Sequence, residues 1–589
     1  MSPPRRWVWV AIIAVLGACL SVERDPEAVT DDRDEEPIDR RRDDDGDADD
    51  TDDYGAADTD HRSPPRASEV PDDPVPAEGS LEVRTCWTAD AHGTGGEIVL
   101  TDATDARGLL EPLTGMLGHA FAAGDVTGDG WQDLFVGTFA DRPKEIYTQR
   151  GATGASPDQL LRGGPDGFVV DESFPGARER TSGAVMADLT GDGHLDLVAA
   201  RNPRGDGRGA GPTLVYRNDG NALTEAVTLV PDTGARAVAV LDVEGNGRLD
   251  LFVAEDRWSG GSSVLLRNDG ELRFTDVTAQ VGLPDDVHGL GAGAADLTGN
   301  GHPDLFVAGS NRLFVNQGDG TFREAEADVF GWELHGNEDD VAGISIADMN
   351  RNGRLDIVLG QHFNSTLDFD ERVPVRLYLN EGVDAAGDPV FRDVTDEAGL
   401  SGLPTKAPHV EIADLDNDGW PDIITSASAG QGTLPAVFRH EGVTDGLPRF
   451  STPEGLGDDQ YWVTGGAVDL TRDGRLDVIL VEWFPHEPTR LWTNDGPAGS
   501  WLQIEVPPDA FGAHVEVFEP DGLDNPDAII GVREVIASIG YAAGGPPLVH
   551  IGLGELATVD VRVTLPDGRF AAMRGVASDR HLAVGVPCR

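Results

Sequence analysis

Lysine is almost missing from this 589-residue chain. Lys144 and Lys406 stand beside 43 arginines, and these 45 cations face 105 Asp and Glu, a formal net charge of −60. A surplus of that size repels phosphate backbones, and no basic patch offsets it, so nucleic acid is excluded as a partner. Aromatics are sparse at 6%, whereas Gly 75 and Pro 38 are abundant, a balance that points to a turn-rich architecture. The apolar run from Trp7 to Leu16 is too short for a bilayer span of about 20 residues. Among catalytic signatures there is no G-x-S-x-G, no H-E-x-x-H and no nucleophilic cysteine, and acidic pairs are too common to be informative. Enzyme readings receive no positive support.

The first residues pair Arg5 and Arg6 with that apolar run and then small residues, a signal-peptide layout. Leu16-Gly17-Ala18-Cys19 resembles a bacterial lipobox, which makes 1–19 a lipoprotein-type signal peptide and Cys19 the acylated residue of a membrane anchor. The expected location is exported, at an outer membrane or cell surface, on the periplasmic or extracellular side. An ordinary secreted protein whose leader holds a cysteine is the alternative. Ser21 to Ser80 carries 23 acidic and 7 basic residues, a net of −16, with little that is apolar. Residues 20–80 therefore read as a disordered, self-repelling tether.

Seven segments share a short Ala/Gly/Val-rich run, then D-x-[DNTE]-x-[DN]-G-x-x-D, then an apolar run. Their first aspartates are Asp125, Asp188, Asp242, Asp296, Asp348, Asp414 and Asp469, at intervals of 63, 54, 54, 52, 66 and 55 residues. Recurrence at that period signals a repeat architecture. Between the loops recur L-x-x-N-x-G runs, as in Leu265–Gly270 and Leu377–Gly382, and F-x-D-V-T runs beginning at Phe274 and Phe391. Four strand-length pieces per interval, divided by Gly/Asn/Asp turns, describe a four-stranded antiparallel blade. Seven blades around an axis bury one another's faces, so the expected fold is all-β, a seven-bladed β-propeller over 118–495. The seventh interval has no F-x-D-V-T run after it. Its best match, Ile98–Thr104, precedes the first loop, so 81–117 is expected to donate an outer strand to the last blade.

Oxygen side chains at loop positions one, three, five and nine, with the carbonyl of position seven, suit Ca2+, which takes about 6–8 hard oxygen ligands. The glycine at position six permits the positive φ of the turn. The candidate ligands are Asp125, Thr127, Asp129 and Asp133; Asp188, Thr190, Asp192 and Asp196; Asp242, Glu244, Asn246 and Asp250; and Asp296, Thr298, Asn300 and Asp304. The remaining three loops offer Asp348, Asn350, Asn352 and Asp356; Asp414, Asp416, Asp418 and Asp422; and Asp469, Thr471, Asp473 and Asp477. Up to seven structural calcium ions are expected. The sixth loop, with four acids, should bind tightest, and the fourth and fifth, with two each, weakest. The twelfth position holds Val136 in the first loop and Thr425 in the sixth, not the Glu of an EF-hand. Asx-turns that need no metal are the alternative.

With those loops in view, the chain resembles FG-GAP/VCBS repeats over about 118–495, the calcium-binding blades of integrin α-subunits and of cartilage acidic protein relatives. The literal Phe-Gly and Gly-Ala-Pro dipeptides are largely absent, so the likeness is to the cartilage acidic protein branch. It implies structural metal on one face and ligand binding on the other. After Gly496, short alternating strands indicate a small β-sandwich or barrel over 496–589. There Gly512-Ala513, Gly540-Tyr541, His550–Gly554 and Leu565–Gly568 look like an ASPIC/UnbV domain.

Apart from Cys19, only Cys86 and Cys588 carry sulfhydryls, either as a disulfide in an oxidising compartment or as two buried or free thiols. The strand before each loop is expected to line the central channel. That sets His119, Ser182, Arg236, His288, Asp340, His409 and Trp462 around the mouth away from the metal. Of these, His119, Arg236, His288, His409 and Trp462 are candidates for holding an anionic sugar or a transition metal. Arg204-Gly205-Asp206 is set aside as a chance match, and the sequon Asn364-Ser365-Thr366 as silent in a bacterium, for which the lipobox argues. The expected function is a monomeric, calcium-stabilised binding or adhesion module for a glycan or a protein. A polysaccharide lyase or hydrolase on the channel face and a scaffold of a periplasmic complex are the rivals.

Overall fold

The acidic loops are the turns between the first and second strands of seven antiparallel sheets. In the computed structural model the described residues are 73–589, outside 75, 90–94, 96, 141–143, 150–152, 203–210, 221, 231–233, 257–260, 327, 331–339, 364–374, 402–407, 427–435, 452–453, 456–461 and 484–487. Cys19, the leader and most of the acidic stretch fall outside the described residues, as do Arg204–Asp206 and Asn364–Thr366. Contacts divide the chain into Met1–Glu69 and Val70–Arg589, and the propeller and the C-terminal domain both lie in the second unit. Among the described residues no helix is long and apolar enough to cross a membrane.

Position one of each loop follows the first strand of its sheet and position nine opens the second, as in Thr181–Ala187 and Asp196–Arg201, paired from Ala187↔Asp196 outward. Six sheets take their strands in chain order. The last takes its outer strand from far upstream, where Leu100–Asp102 runs antiparallel to Arg490–Asn494 with Leu100 opposite Asn494. Each first strand packs against that of the next sheet, and Trp462–Val468 packs against Gly118–Gly124, which closes the ring. At that junction Phe121, Leu134 and Val136 share a core with Val468, Ile479, Val481 and Leu491. The small residues of the first strands follow from crowding at the axis. A Cβ on Gly183 would stand 2.4 Å from the Arg236 carbonyl of the next blade, and one on Gly291 would stand 1.9 Å from that of Ala342. The molecule is an all-β propeller.

The C-terminal domain is a sandwich of two sheets, and both recruit residues from before the propeller. In one, Glu78–Gly79 flanks Phe570–Ala577, followed by Thr558–Thr564, His514–Phe518 and Ile529–Glu534. In the other, Val83–Thr88 flanks Arg580–Val584, which lies parallel to Ser500–Glu505, with Leu548–Gly554 at the far edge. Leu502, Ile504, Val515, Val517, Val561, Val563 and Leu582 fill the space between them. The segment 81–117 is thus shared: its first residues belong to the sandwich and Leu100–Asp102 to the propeller. A disulfide joins Cys86 to Cys588 across a separation of 502 residues.

Val532–Ser538 alternates like one strand, yet the ladder stops at Glu534. Ser538–Ile539 and Ala543–Gly544 form a hairpin that enters the channel, with Ala543–Gly544 parallel to Gly118–Gly124. The inner strands leave peptide groups facing the channel, and the hairpin satisfies some of them. Phe121 N–H donates to Ala542 O at 3.2 Å, while Ile344 and Gly540 exchange bonds of 2.9 and 2.8 Å. Thr464 Oγ1 and Ser538 Oγ donate to the carbonyls of Tyr541 and Val238.

Candidate metal centres and the channel

One hydrogen-bond scheme shapes all seven loops. The position-one carboxylate accepts the N–H of the position-six glycine, as in Gly130 to Asp125 at 2.9 Å, Gly193 to Asp188 at 2.7 Å and Gly419 to Asp414 at 2.9 Å. Those glycines hold φ between +78° and +91°. At position five Oδ1 accepts the N–H two residues on, from Asp129 with Trp131 at 2.9 Å to Asn352 with Arg354 at 2.8 Å. Asp and Asn serve that bond equally, which explains why both occur there. The position-nine carboxylate brackets the loop: Asp196 Oδ2 accepts Leu189 N–H at 3.0 Å while its Oδ1 accepts Asn218 N–H at 2.8 Å.

These bonds leave donors suited to a hard cation. Thr127 Oγ1, Asp414 Oδ1 and Thr471 Oγ1 are buried without a hydrogen-bond partner, and each stands at a candidate ligand position. In the sixth loop the carboxylate oxygens of Asp414, Asp416 and Asp422 lie within 4.8 Å of one another, all three residues buried. Burial, then the neighbouring carboxylates, pushes the Asp414 and Asp422 carboxyls well above their usual range. Burial likewise raises Asp133, Asp196, Asp250, Asp304 and Asp469 to about 7. A divalent cation would relieve that cost, so the donor set fits calcium. Other candidates already have partners. Glu244 accepts from Asn246 Nδ2, Asn300 and Asn352 donate to the carbonyls of Asn316 and Asn380, and Asn350 donates to Gly446 O. In the sixth loop Arg439 pairs with Asp416 and Asp418 at 2.8 and 3.2 Å.

The recurrent asparagine of L-x-x-N-x-G, to which sequence reasoning assigned no role, ties each loop to the one before it. Asn218, Asn268, Asn316, Asn380 and Asn494 donate through Nδ2 to the position-two carbonyls Val126, Leu189, Val243, Leu297 and Leu415. In the sixth blade His440 takes the place. Its Nε2–H donates to Met349 O at 3.1 Å and its Nδ1 accepts Gly442 N–H at 2.9 Å, and burial lowers its pKa to about 4. In the first blade the position is Gly163, and the seventh loop's Leu470 carbonyl is met instead by Arg107 Nη2 at 2.9 Å. The repeat spacing was the available signal for the asparagines, whereas nothing local marked Arg107.

The C-terminal domain sits on the loop face. Asp188 N–H donates to Pro508 O at 3.0 Å, Asp348 N–H to Val532 O at 3.4 Å and Gly554 N–H to Asn417 O at 2.8 Å. Gln503 Nε2 donates to Asp469 Oδ2 at 3.0 Å, and His550 Nε2 donates to Asn417 Oδ1 at 2.7 Å.

The five residues proposed as an open ligand rim are not one. His119, Arg236, His409 and Trp462 are 2%, 8%, 0% and 1% exposed, and only His288 is half-buried. The hairpin is the reason. His409 Nδ1 accepts Tyr541 N–H at 3.1 Å, and the Tyr541 hydroxyl lies 3.5 Å from His119 Nε2. His119 also stacks on Phe139 at 4.3 Å, Arg236 pairs with Asp256 at 2.7 Å, and Trp462 packs edge-on against Trp492.

Residues 125–199, 188–253, 242–307 and 296–359 match the FG-GAP-like repeat family, and 505–587 match ASPIC and UnbV. Cartilage acidic protein 1 of Mus musculus is 31% identical over 375 residues, 59% of this chain and 54% of that protein. Integrin alpha-7 of Homo sapiens is 31% identical over 158 residues, 24% of this chain and 12% of that protein. The chain spans about half the length of the cartilage acidic proteins it matches. Among solved structures, YCF48 from Cyanidioschyzon merolae aligns at 10% identity and a TM-score of 0.34, over 64% of this chain and 95% of that one.

Proposed function

The chain carries FG-GAP-like repeats and an ASPIC and UnbV domain and is homologous to cartilage acidic protein 1, and from that premise we propose that it is an exported, calcium-stabilised module for binding or adhesion outside the cytoplasm. The observation that carries the calcium part is the set of buried, unpartnered ligand oxygens on Thr127, Asp414 and Thr471. Export is supported by the signal-peptide layout and by the Cys86–Cys588 disulfide, a bond that persists in oxidising compartments. Acylation of Cys19 would tether the body to a membrane surface.

The ligand is a glycan or a protein, taken on the propeller face opposite the loops. The C-terminal domain sits on the loop face and its hairpin enters the channel, where a polysaccharide-cleaving site of the rival reading would have to work. Glycan and protein arrays probed with the calcium-loaded chain test this reading. Saturable binding that is lost after metal stripping is the expected result. No binding above background on either array would refute it.

A further inference from the structure

Position four separates the loops. In the first four it is a glycine, Gly128, Gly191, Gly245 or Gly299, with φ between +64° and +78°, and both it and the position-five residue are exposed. In the sixth it is Asn417, held in the same left-handed conformation at φ +55° and 0% exposed. The C-terminal domain and the seventh loop hold it there. Gly554 N–H donates to its carbonyl at 2.8 Å, His550 Nε2 donates to its Oδ1 at 2.7 Å, and its own Nδ2 donates to Gly474 O at 2.9 Å. The ligand positions on either side are covered as well. A Cβ on Gly552 would stand 2.1 Å from Asp414 Oδ2, so the strand Leu548–Gly554 lies directly on position one. Gly499 N–H donates to Asp416 O at 2.9 Å, and Arg351 of the fifth loop donates to Gly419 O at 2.6 Å with its guanidinium 3.5 Å above the Trp420 ring. Asp414, Asp416 and Asp422 are left 2%, 1% and 1% exposed.

Covered in this way, the acids still want a positive charge. Arg439 pairs with Asp416 and Asp418, but Asp414 Oδ1 is buried without a hydrogen-bond partner. Asp414 is also one of the three carboxylates, with Asp416 and Asp422, whose oxygens lie within 4.8 Å of one another. Buried acids so close together are unfavourable unless a cation joins them. A cavity of about 130 Å³, lined by Asp414, Asp469 and His550 among others, leaves room for water to complete the shell of an ion that takes about 6–8 oxygens.

We propose that the sixth loop holds an occluded divalent cation, sealed beneath the C-terminal domain, which exchanges with solvent only when that domain lifts from Asp414 and Asn417. The ions of the first four loops, whose fourth and fifth positions are open, exchange freely. The inference rests on the calcium reading of the loops and adds a difference among them that a count of acids does not contain. By reciprocity, whatever the cation gains from the docked domain the docked domain gains from the cation. A fall in external calcium therefore empties the open loops first and leaves the ion that pins the two domains together.

The test is isotope exchange on the full chain: protein loaded with radioactive calcium is moved into excess unlabelled calcium, and the label it retains is followed with time. The expected result is one ion per chain that leaves about a hundredfold or more slowly than the others, because its release requires a local opening. Asp414→Asn keeps an acceptor for Gly419 N–H and should abolish that slow phase. Asn417→Gly installs the residue of the first four loops at the same φ and touches no ligand. It should leave the number of bound ions unchanged and speed the slow phase by about tenfold or more, the worth of two buried hydrogen bonds. Should Asn417→Gly not fold, His550→Ala, which removes the bond to Asn417 from the domain side, must speed the same phase. A single exchange phase in the wild type, a slow phase that survives Asp414→Asn, or one that neither Asn417→Gly nor His550→Ala speeds overturns the proposal while leaving the calcium reading intact. A wild type that binds no calcium overturns both.

Discussion

Metal stripping should make the stability of this protein steeply dependent on pH, in a direction unusual for an acidic protein. Burial, reinforced by neighbouring carboxylates, raises Asp133, Asp196, Asp250, Asp304 and Asp469 from 3.8 to about 7. Below about pH 4 these groups are protonated in both states and cost nothing. As pH rises from 4 to 7 the unfolded chain releases its protons while the folded one keeps them, so stability falls. Above 7 the whole cost is present, on the order of 4 kcal/mol for each group. At pH 8 the folded, cation-free state therefore carries a cost that protons or cations would relieve. Calcium at about 1,000 times its dissociation constant adds roughly 4 kcal/mol for each site. At no more than about 2 °C per kcal/mol for a body of this size, the roughly 4 kcal/mol lost with one calcium ion reads as a fall of up to about 8 °C. The assay is thermal unfolding of dialysis-stripped and calcium-loaded protein at pH 5 and pH 8, since chelators lose their grip at acid pH. The stripped protein should melt lower at pH 8 than at pH 5, and calcium should abolish most of that difference. Equal melting temperatures at both pH values, unchanged by calcium, would refute the reasoning.

Four further outcomes rest on single residues. Arg236→Ala breaks a buried ion pair of 2.7 Å with Asp256 and should cost about 3–5 kcal/mol in urea unfolding, so removing His119, Arg236 and His288 together would unfold the propeller before it reported on any ligand. Asn380→Ala removes two buried bonds, to Leu297 O and Leu355 O, and should cost about 2–3 kcal/mol, whereas His440→Asn should be tolerated because Asn fills that place in five other blades. Cys19→Ser should move the protein from the membrane fraction to the soluble one or leave an unprocessed precursor, and mass spectrometry that finds no lipid on the wild type would count against the anchor.

How far the sequence reached depends on how local each feature is. Everything within nine residues was legible: Asp, Asp/Asn, Gly and Asp at fixed spacing can make the same set of side-chain to backbone bonds wherever they occur, and Gly130, Gly193 and their five counterparts adopt the left-handed conformation this turn demands. The all-β propeller followed from repeating such a unit, because a lone four-stranded sheet cannot bury both faces. The asparagine latches were visible only as a recurrence, since their acceptors lie 73 to 92 residues away in the preceding loop. Arg107 left no mark at all: its partner, Leu470 O, is 363 residues distant and exists only once the ring closes. The rim went astray for the same reason. Counting back along each first strand placed His119 and His409 at the channel correctly as chain geometry, but that counting carries no information about what occupies the channel. The tertiary structure decided it by seating the C-terminal domain on the loops and sending Tyr541 down the axis, which turned two candidate ligand residues into buried partners of the chain's own backbone and ring.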